Sequence, residues 1–146
     1  MPGHLKLTFA LVICAGALVA ATAAAAAPTK MEKRLVAQIN DVRADHGLRK
    51  LKVGSRLQRG AHSWARHLIR ADSFHHARLA ARTGENLAWG TCNWYSPRQA
   101  VRAWLRSSSH RALLLDRRFR AVGTGWARGP WRGYGCVKMA VARFRY

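Results

Sequence analysis

Glu85 stands in the run Gly84-Glu85-Asn86-Leu87-Ala88-Trp89-Gly90, a glycine-bracketed and largely apolar segment. The chain has 146 residues and sets six Asp and Glu against 26 Lys and Arg. A carboxylate in such surroundings needs a partner, because removing an unpaired charge from water is costly. Histidine can supply one: His75 and His76 lie upstream, and His110 follows in Trp104-x5-His110-Arg111. Two imidazoles and a carboxylate also make up a catalytic zinc shell with a position left open for water. No local zinc spacing such as H-E-x-x-H is present. The residues therefore favour a hydrogen-bonded His–Glu pair in a cleft. No metal or other cofactor is expected, with a divalent cation at His76 and Glu85 as the weaker alternative. A nucleophile is not signalled. Ser107, Ser108 and Ser109 precede His110, but there is no G-x-S-x-G elbow, and Ser109 reads as the N-cap of the turn that follows. Phosphate-binding glycine loops and dinucleotide fingerprints are missing. Gly123, Gly125, Gly129, Gly133 and Gly135 suit the turns and bulges of a hairpin.

The elements that must position these residues follow from periodicity and punctuation. Residues 29–46 form a first helix with Leu35, Ile39 and Val42 on one stripe, ended by Gly47 in a left-handed cap. Leu51 and Val53 are expected to tuck inward from a short connector. A second helix runs from an N-cap at Ser55 to about Asp72, burying Leu57, Ala61, Trp64, Ala65 and Leu68. Its opposite side carries Arg56, Arg59, Arg66 and Arg70. A polar connector bears His75 and His76, a short helix covers residues 85–88, and a loop spans residues 90–96. Pro97, behind Ser96, opens a third helix to about Ser107. That helix buries Ala100, Val101, Trp104 and Leu105 and leaves Arg98, Arg102 and Arg106 as a basic stripe. Residues 110–115 form a final turn or short helix. The pattern then changes to alternation over residues 121–127 and 134–144, an antiparallel hairpin with a Gly-Pro turn at 129–130. Helices first and strands late describe an α+β layered domain.

Residues 1–27 read as a signal peptide: Lys6, an apolar stretch, then a run of small residues that suits cleavage. An uncleaved anchor is the alternative. Residues 28–146 then form one domain. With Cys14 removed, Cys92 and Cys136 remain, and an exported chain with two cysteines most simply joins them in a disulfide. The formal charge of +20 attracts polyanions. For an exported, secreted protein these are anionic envelope polymers or lipid headgroups rather than nucleic acid. Trp94 and Trp131, in loops, join Arg98, Arg102 and Arg106 as candidate surface contacts. Trp104 belongs to the core. A monomer is expected.

The order of features is Trp64 in a helix, Phe74-x-His76, Gly84-Glu85-Asn86-Leu87-Ala88-Trp89-Gly90, Ala100-Val101-x-x-Trp104, Ser107-x-x-His110-Arg111 and a Gly-rich hairpin. In this the mature chain resembles the CAP superfamily of cysteine-rich secretory, antigen and pathogenesis-related proteins, in its compact bacterial form. The resemblance implies a three-layer α-β-α sandwich with a small antiparallel sheet between helices. It also implies a central cleft that gathers two histidines and two glutamates, sometimes around a divalent cation. His76 and Glu85 match the family's F-x-H histidine and G-E-N glutamate, and His110 matches the S-P-x-H-R histidine of bacterial members. Ser107 stands where the second glutamate is usual, and Arg117 and Arg118 stand where the second histidine is usual. With half of the tetrad replaced, the expected function is a non-enzymatic binding module that docks on anionic envelope components or lipids. The alternative is a hydrolase that uses His76 and Glu85, with His110 beside them, as base and orienting partner.

Overall fold

The computed structural model describes residues 27–146. The expected signal segment, apart from its final residue, lies outside them. The described chain folds as α1 (Lys30–Asp45), β1 (Lys52–Val53), α2 (Ser55–Arg70), β2 (Thr83–Thr91), α3 (Pro97–Arg106), α4 (Ser108–Leu114), β3 (Ala121–Trp131) and β4 (Tyr134–Arg145). The strands form one sheet in the order β1-β3-β4-β2. Only β1 runs parallel to its neighbour.

The helix ends are set by local chemistry. Thr29 and Glu32 form a reciprocal capping box at the start of α1. At its end Gly47 takes a positive φ of 66°. The N–H of Leu48 bonds the carbonyl of Arg43 and that of Gly47 the carbonyl of Ala44, a Schellman closure that requires the left-handed glycine. Ser96 caps α3, with Pro97 at its first turn. Gly54 rather than Ser55 is the cap residue of α2, and Ser107 rather than Ser109 precedes α4.

The central strand β4 shows why the sheet is covered on both faces. Ala140, Ala142 and Phe144 join a core with Leu35, Ile39, Trp104 and Phe119 from the side of α1, α3 and α4. The alternate residues Val137, Met139 and Val141 join a second core with Ala61, Ala65 and Leu68 of α2. Period-two alternation thus feeds two apolar faces at once, and the result is an α-β-α sandwich. On the α2 face, Gly123 and Gly125 of β3 lie directly against the α2 backbone. A Cβ at either would run into Leu57 and Gln58, or into the Ala61 carbonyl. Close helix approach, not turn formation, is what these glycines serve.

Several expectations are corrected. The segment at 85–88 is not a short helix: it lies inside β2, paired with β4 along its whole length. A free-standing turn of helix would leave that edge of β4 unpaired, so sheet pairing overrides local propensity. The hairpin reverses at Arg132 and Gly133, both at positive φ, as a two-residue turn requires. Gly129 and Pro130 instead mark a bulge in β3. Val53 is exposed, although Leu51 is buried as expected. Cys92 and Cys136 form a disulfide that ties the end of β2 to the start of β4.

Because β1 is so short, β3 has an open edge beyond it. Side chains close that edge. The Gln58 amide donates to the Thr124 carbonyl and accepts from the Thr124 N–H, at 2.7 and 3.0 Å. The N–H of Trp126 donates to Glu32 Oε1 at 3.3 Å. Backbone groups that a neighbouring strand would satisfy are met by an amide and a carboxylate.

Candidate functional site

Glu85 lies on β2 directly opposite Arg143 of β4. Both side chains turn to the α2 face. The Glu85 side chain is 1 % exposed and makes three bonds. Oε1 lies 3.0 Å from His76 Nδ1 and accepts the Ala77 N–H at 3.1 Å, while Oε2 accepts Arg143 Nε at 2.8 Å. The expected His76–Glu85 partnership is therefore present, but as part of a trio with Arg143. The Arg143 side chain, 13 % exposed, packs against Gly60 of α2, where an added Cβ would meet its Nη1 at 2.5 Å. Its guanidinium also lies 5.9 Å from the ring of Trp64. The His76 side chain remains 58 % exposed.

Sequence reasoning missed Arg143. Its signal was present in principle, since a buried carboxylate on one strand of an antiparallel pair is best met by the residue opposite. Finding it required the register, which the sequence left open.

His110 is not in this hydrogen-bonded group. Its element, α4, lies over the other face of the sheet. There Asn86, the neighbour of Glu85 on β2, donates from Nδ2 to the His110 carbonyl at 3.0 Å. Alternation along a strand sends Glu85 and Asn86 to opposite faces, so α4 meets the site only around the β2 edge. The His110 imidazole still senses His76. Burial, and to a lesser degree the charge of His76, holds it below its ordinary value.

Among the described residues no group of three or more His, Cys, Asp or Glu side chains is gathered as a metal site. Both Glu85 oxygens are engaged, one of them by a guanidinium. A divalent ion at Glu85 would have to share the carboxylate with a fixed cation.

A second His–carboxylate pair went unnoticed in the sequence. Glu32, fully buried, lies 2.7 Å from His62 Nδ1 through Oε1 and accepts the Thr29 N–H at 2.7 Å through Oε2. The T-x-x-E pattern of Thr29 and Glu32 is a capping-box signal that sequence reasoning missed, and nothing local signals the partner in α2. The pair borders a cleft of about 200 Å³ lined also by Gln58, Arg59 and Ser63.

The surface candidates divide. Arg98, Arg102 and Arg106 are exposed along α3, and Trp94 is 61 % exposed at the turn before it. Trp131 is not a surface residue. At 3 % exposure it belongs to the α2-side core, edge-on to Phe74 and tilted against Trp89, because β3 extends as far as this residue. Trp104 is buried as expected, and its indole N–H donates to the Leu87 carbonyl at 3.0 Å, holding α3 to the β2 edge.

A sandwich of this topology with a histidine set on the G-E-N glutamate defines a CAP-type domain. The family model described as the cysteine-rich secretory protein family, CAP, matches residues 36–142, and the chain belongs to that family. Over 120 residues it is 26 % identical to the uncharacterized protein YkwD of Bacillus subtilis (strain 168), covering 72 % of this chain and 46 % of YkwD. It thus spans about half the length of that relative. The fold is similar to that of an outer surface protein from Borrelia burgdorferi, with a TM-score of 0.64 and 21 % identity over 82 % of this chain and 95 % of that one. An extracellular protein with an SCP domain from Bacillus anthracis str. Ames gives a TM-score of 0.63 and 19 % identity, over 78 % of this chain and 39 % of that one. Among the described residues no helix is long and apolar enough to cross a membrane.

Proposed function

We propose that the chain is a secreted, non-enzymatic binding module that docks by charge on anionic polymers or lipid headgroups of a cell envelope. The observation that carries this reading is the disposition of charge. The chain carries a formal +20, and basic residues are exposed on both helical layers, Arg98, Arg102 and Arg106 on α3 and Arg56, Arg59, Arg66 and Arg70 on α2. Two of the six acidic residues, Glu32 and Glu85, are buried and committed to internal partners. The outer surface is therefore even more one-sided than the composition. The secretory and outer-surface names of its relatives support the extracellular placement.

The same geometry argues against a hydrolytic His76–Glu85 pair. Arg143 occupies Glu85 Oε2, and His110 stands outside the hydrogen-bonded group. Glu85 serves to hold the β2–β4 register and the connector at His76. In this reading the cleft works without a divalent cation.

Sedimentation with vesicles tests the reading. Vesicles of phosphatidylglycerol should retain the protein at low salt, vesicles of phosphatidylcholine should not, and retention should fall steeply as the Debye length shrinks to about 8 Å near physiological salt. Retention that ignores both headgroup charge and ionic strength would overturn it.

A further inference from the structure

Four arginines gather away from the helix stripes. They sit in a cleft of about 530 Å³ between the loop after α1 and the loop before β3, lined by Gly47, Leu48, Arg49, Arg117, Arg118 and Arg120. Like charges on a flexible surface would spread apart. Here the backbone holds them together.

The device that holds them is Arg43, a fully buried guanidinium at the end of α1. Its Nε donates to the carbonyl of Arg49 at 3.0 Å, on one wall of the cleft. Its Nη1 donates to the carbonyls of Leu114 and Asp116 at 2.9 and 3.0 Å, on the segment that leads into the other. A second brace is Arg120, whose Nη1 donates to the carbonyls of Arg117, Arg118 and Phe119 and curls that loop around itself. Arg118 is paired in a bidentate manner with Asp116, at 3.1 and 2.8 Å, and lies over the ring of Tyr146. Asp116 also accepts the Tyr146 hydroxyl at 3.2 Å. That pairing neutralises the carboxylate near the cleft, and the Arg118 bond holds the Asp116 carboxyl down to about 2 against the opposing effect of burial. Burial lowers the Arg43 guanidinium, and the charge of Arg120 lowers it further while Asp116 opposes. Among the described residues the Arg49 and Arg117 guanidinium groups make no hydrogen bond or ion pair, and Arg43 Nη2 has no partner.

We propose that this cleft is a phosphate-binding site. A guanidinium fork matches phosphate oxygens in pairs, and a tetrahedral phosphate has enough acceptors for more than one fork at once. The braced walls fix the backbone that carries Arg49 and Arg117 before the ligand arrives, so only their side chains remain to be ordered on binding. The volume exceeds a single phosphate and the cleft is open on one side. It would therefore admit the phosphate together with the alcohol that carries it, on a phospholipid headgroup or a phosphodiester polymer. The proposal rests on the reading of the chain as an anion-docking module and gives that reading an address.

The experiment compares the full chain with two variants that each remove two charges. One is Arg49→Gln with Arg117→Gln, which leaves the bracing residues Arg43, Arg118 and Arg120 in place. The other is Arg98→Gln with Arg102→Gln on α3. The probes are inorganic phosphate, followed by amide shifts in NMR, and phosphatidylglycerol vesicles. In the wild type, phosphate should shift the amides of residues 47–49 and 117–120 in a saturable way. The cleft variant should weaken phosphate binding by about tenfold or more and the α3 variant by no more than about twofold. If vesicle retention falls with it, the headgroup is the source; if vesicle retention persists while phosphate binding is lost, the site stands with soluble or polymer phosphate as its ligand. Equal losses in the two variants, or shifts spread over the whole surface, would overturn the site while leaving charge-driven docking intact. A wild type that binds neither probe would overturn both.

Discussion

Glu85 is held from two directions by groups of different kinds, an imidazole that reaches the solvent and a guanidinium that scarcely does. Removing the guanidinium leaves a buried carboxylate with one charged neighbour fewer. Arg143→Met should therefore cost about 3 kcal/mol in urea denaturation. Glu85→Gln with Arg143→Met should recover at least about 1 kcal/mol of that loss, because the orphaned charge is gone. Simple additivity of the two substitutions would show that the pair is not coupled. His110 makes a separate prediction. Its imidazole is held below the ordinary value of 6.5 by burial and by His76. Below about pH 6.5 the unfolded chain accordingly binds a proton that the folded chain resists, so stability rises with pH through that window and falls on acidification. Thermal unfolding at about pH 5 and about pH 7.5 should show a smaller difference for His110→Asn than for wild type.

At the scale of elements, the contact between α2 and β3 decides the geometry on one face of the sheet. Gly125 has the Ala61 carbonyl directly above it. Gly125→Ala should force α2 outward and cost about 1–3 kcal/mol, read as a lower urea midpoint without a change of slope. The open edge of β3 is the counterpart of this crowding. Gln58 and Glu32 reach across to it because β1 stops after Val53. The capping box at the start of α1 thus has a second role that no local pattern carries.

For the molecule as a whole, one covalent link and one excess of charge act in opposite directions. The Cys92–Cys136 disulfide closes a separation of 44 residues, which in the chain-entropy model restricts the unfolded state by about 4 kcal/mol. Cys92→Ser with Cys136→Ser should lower stability by about 2–4 kcal/mol, measured by urea denaturation. The formal +20 opposes compaction and favours encounter with any polyanion. The cleft between Arg49 and Arg117 concentrates that charge at one place, and it does so through carbonyl groups held by a buried arginine.

Periodicity and punctuation determined the helices α1, α2 and α3, the caps at Gly47 and Ser96 and the late hairpin, because each depends on neighbours a few positions apart, and composition alone determined the cysteine pair and the charge. The motif from Gly84 to Gly90, taken together with Phe74-x-His76 and Trp104-x5-His110-Arg111, pointed to the family and to the His76–Glu85 partnership. Other features depend on which strand lies beside which, and in what register. That is why a segment read as helix became β2, why Trp131 moved from the surface to the core, and why Arg143 rather than His110 completes the bonds of Glu85. The tertiary structure also decided which arginines are mere solvated stripes and which are gathered. Arg49 and Arg117 lie far apart in the chain, and only the fold, braced by Arg43, places them on the same cleft.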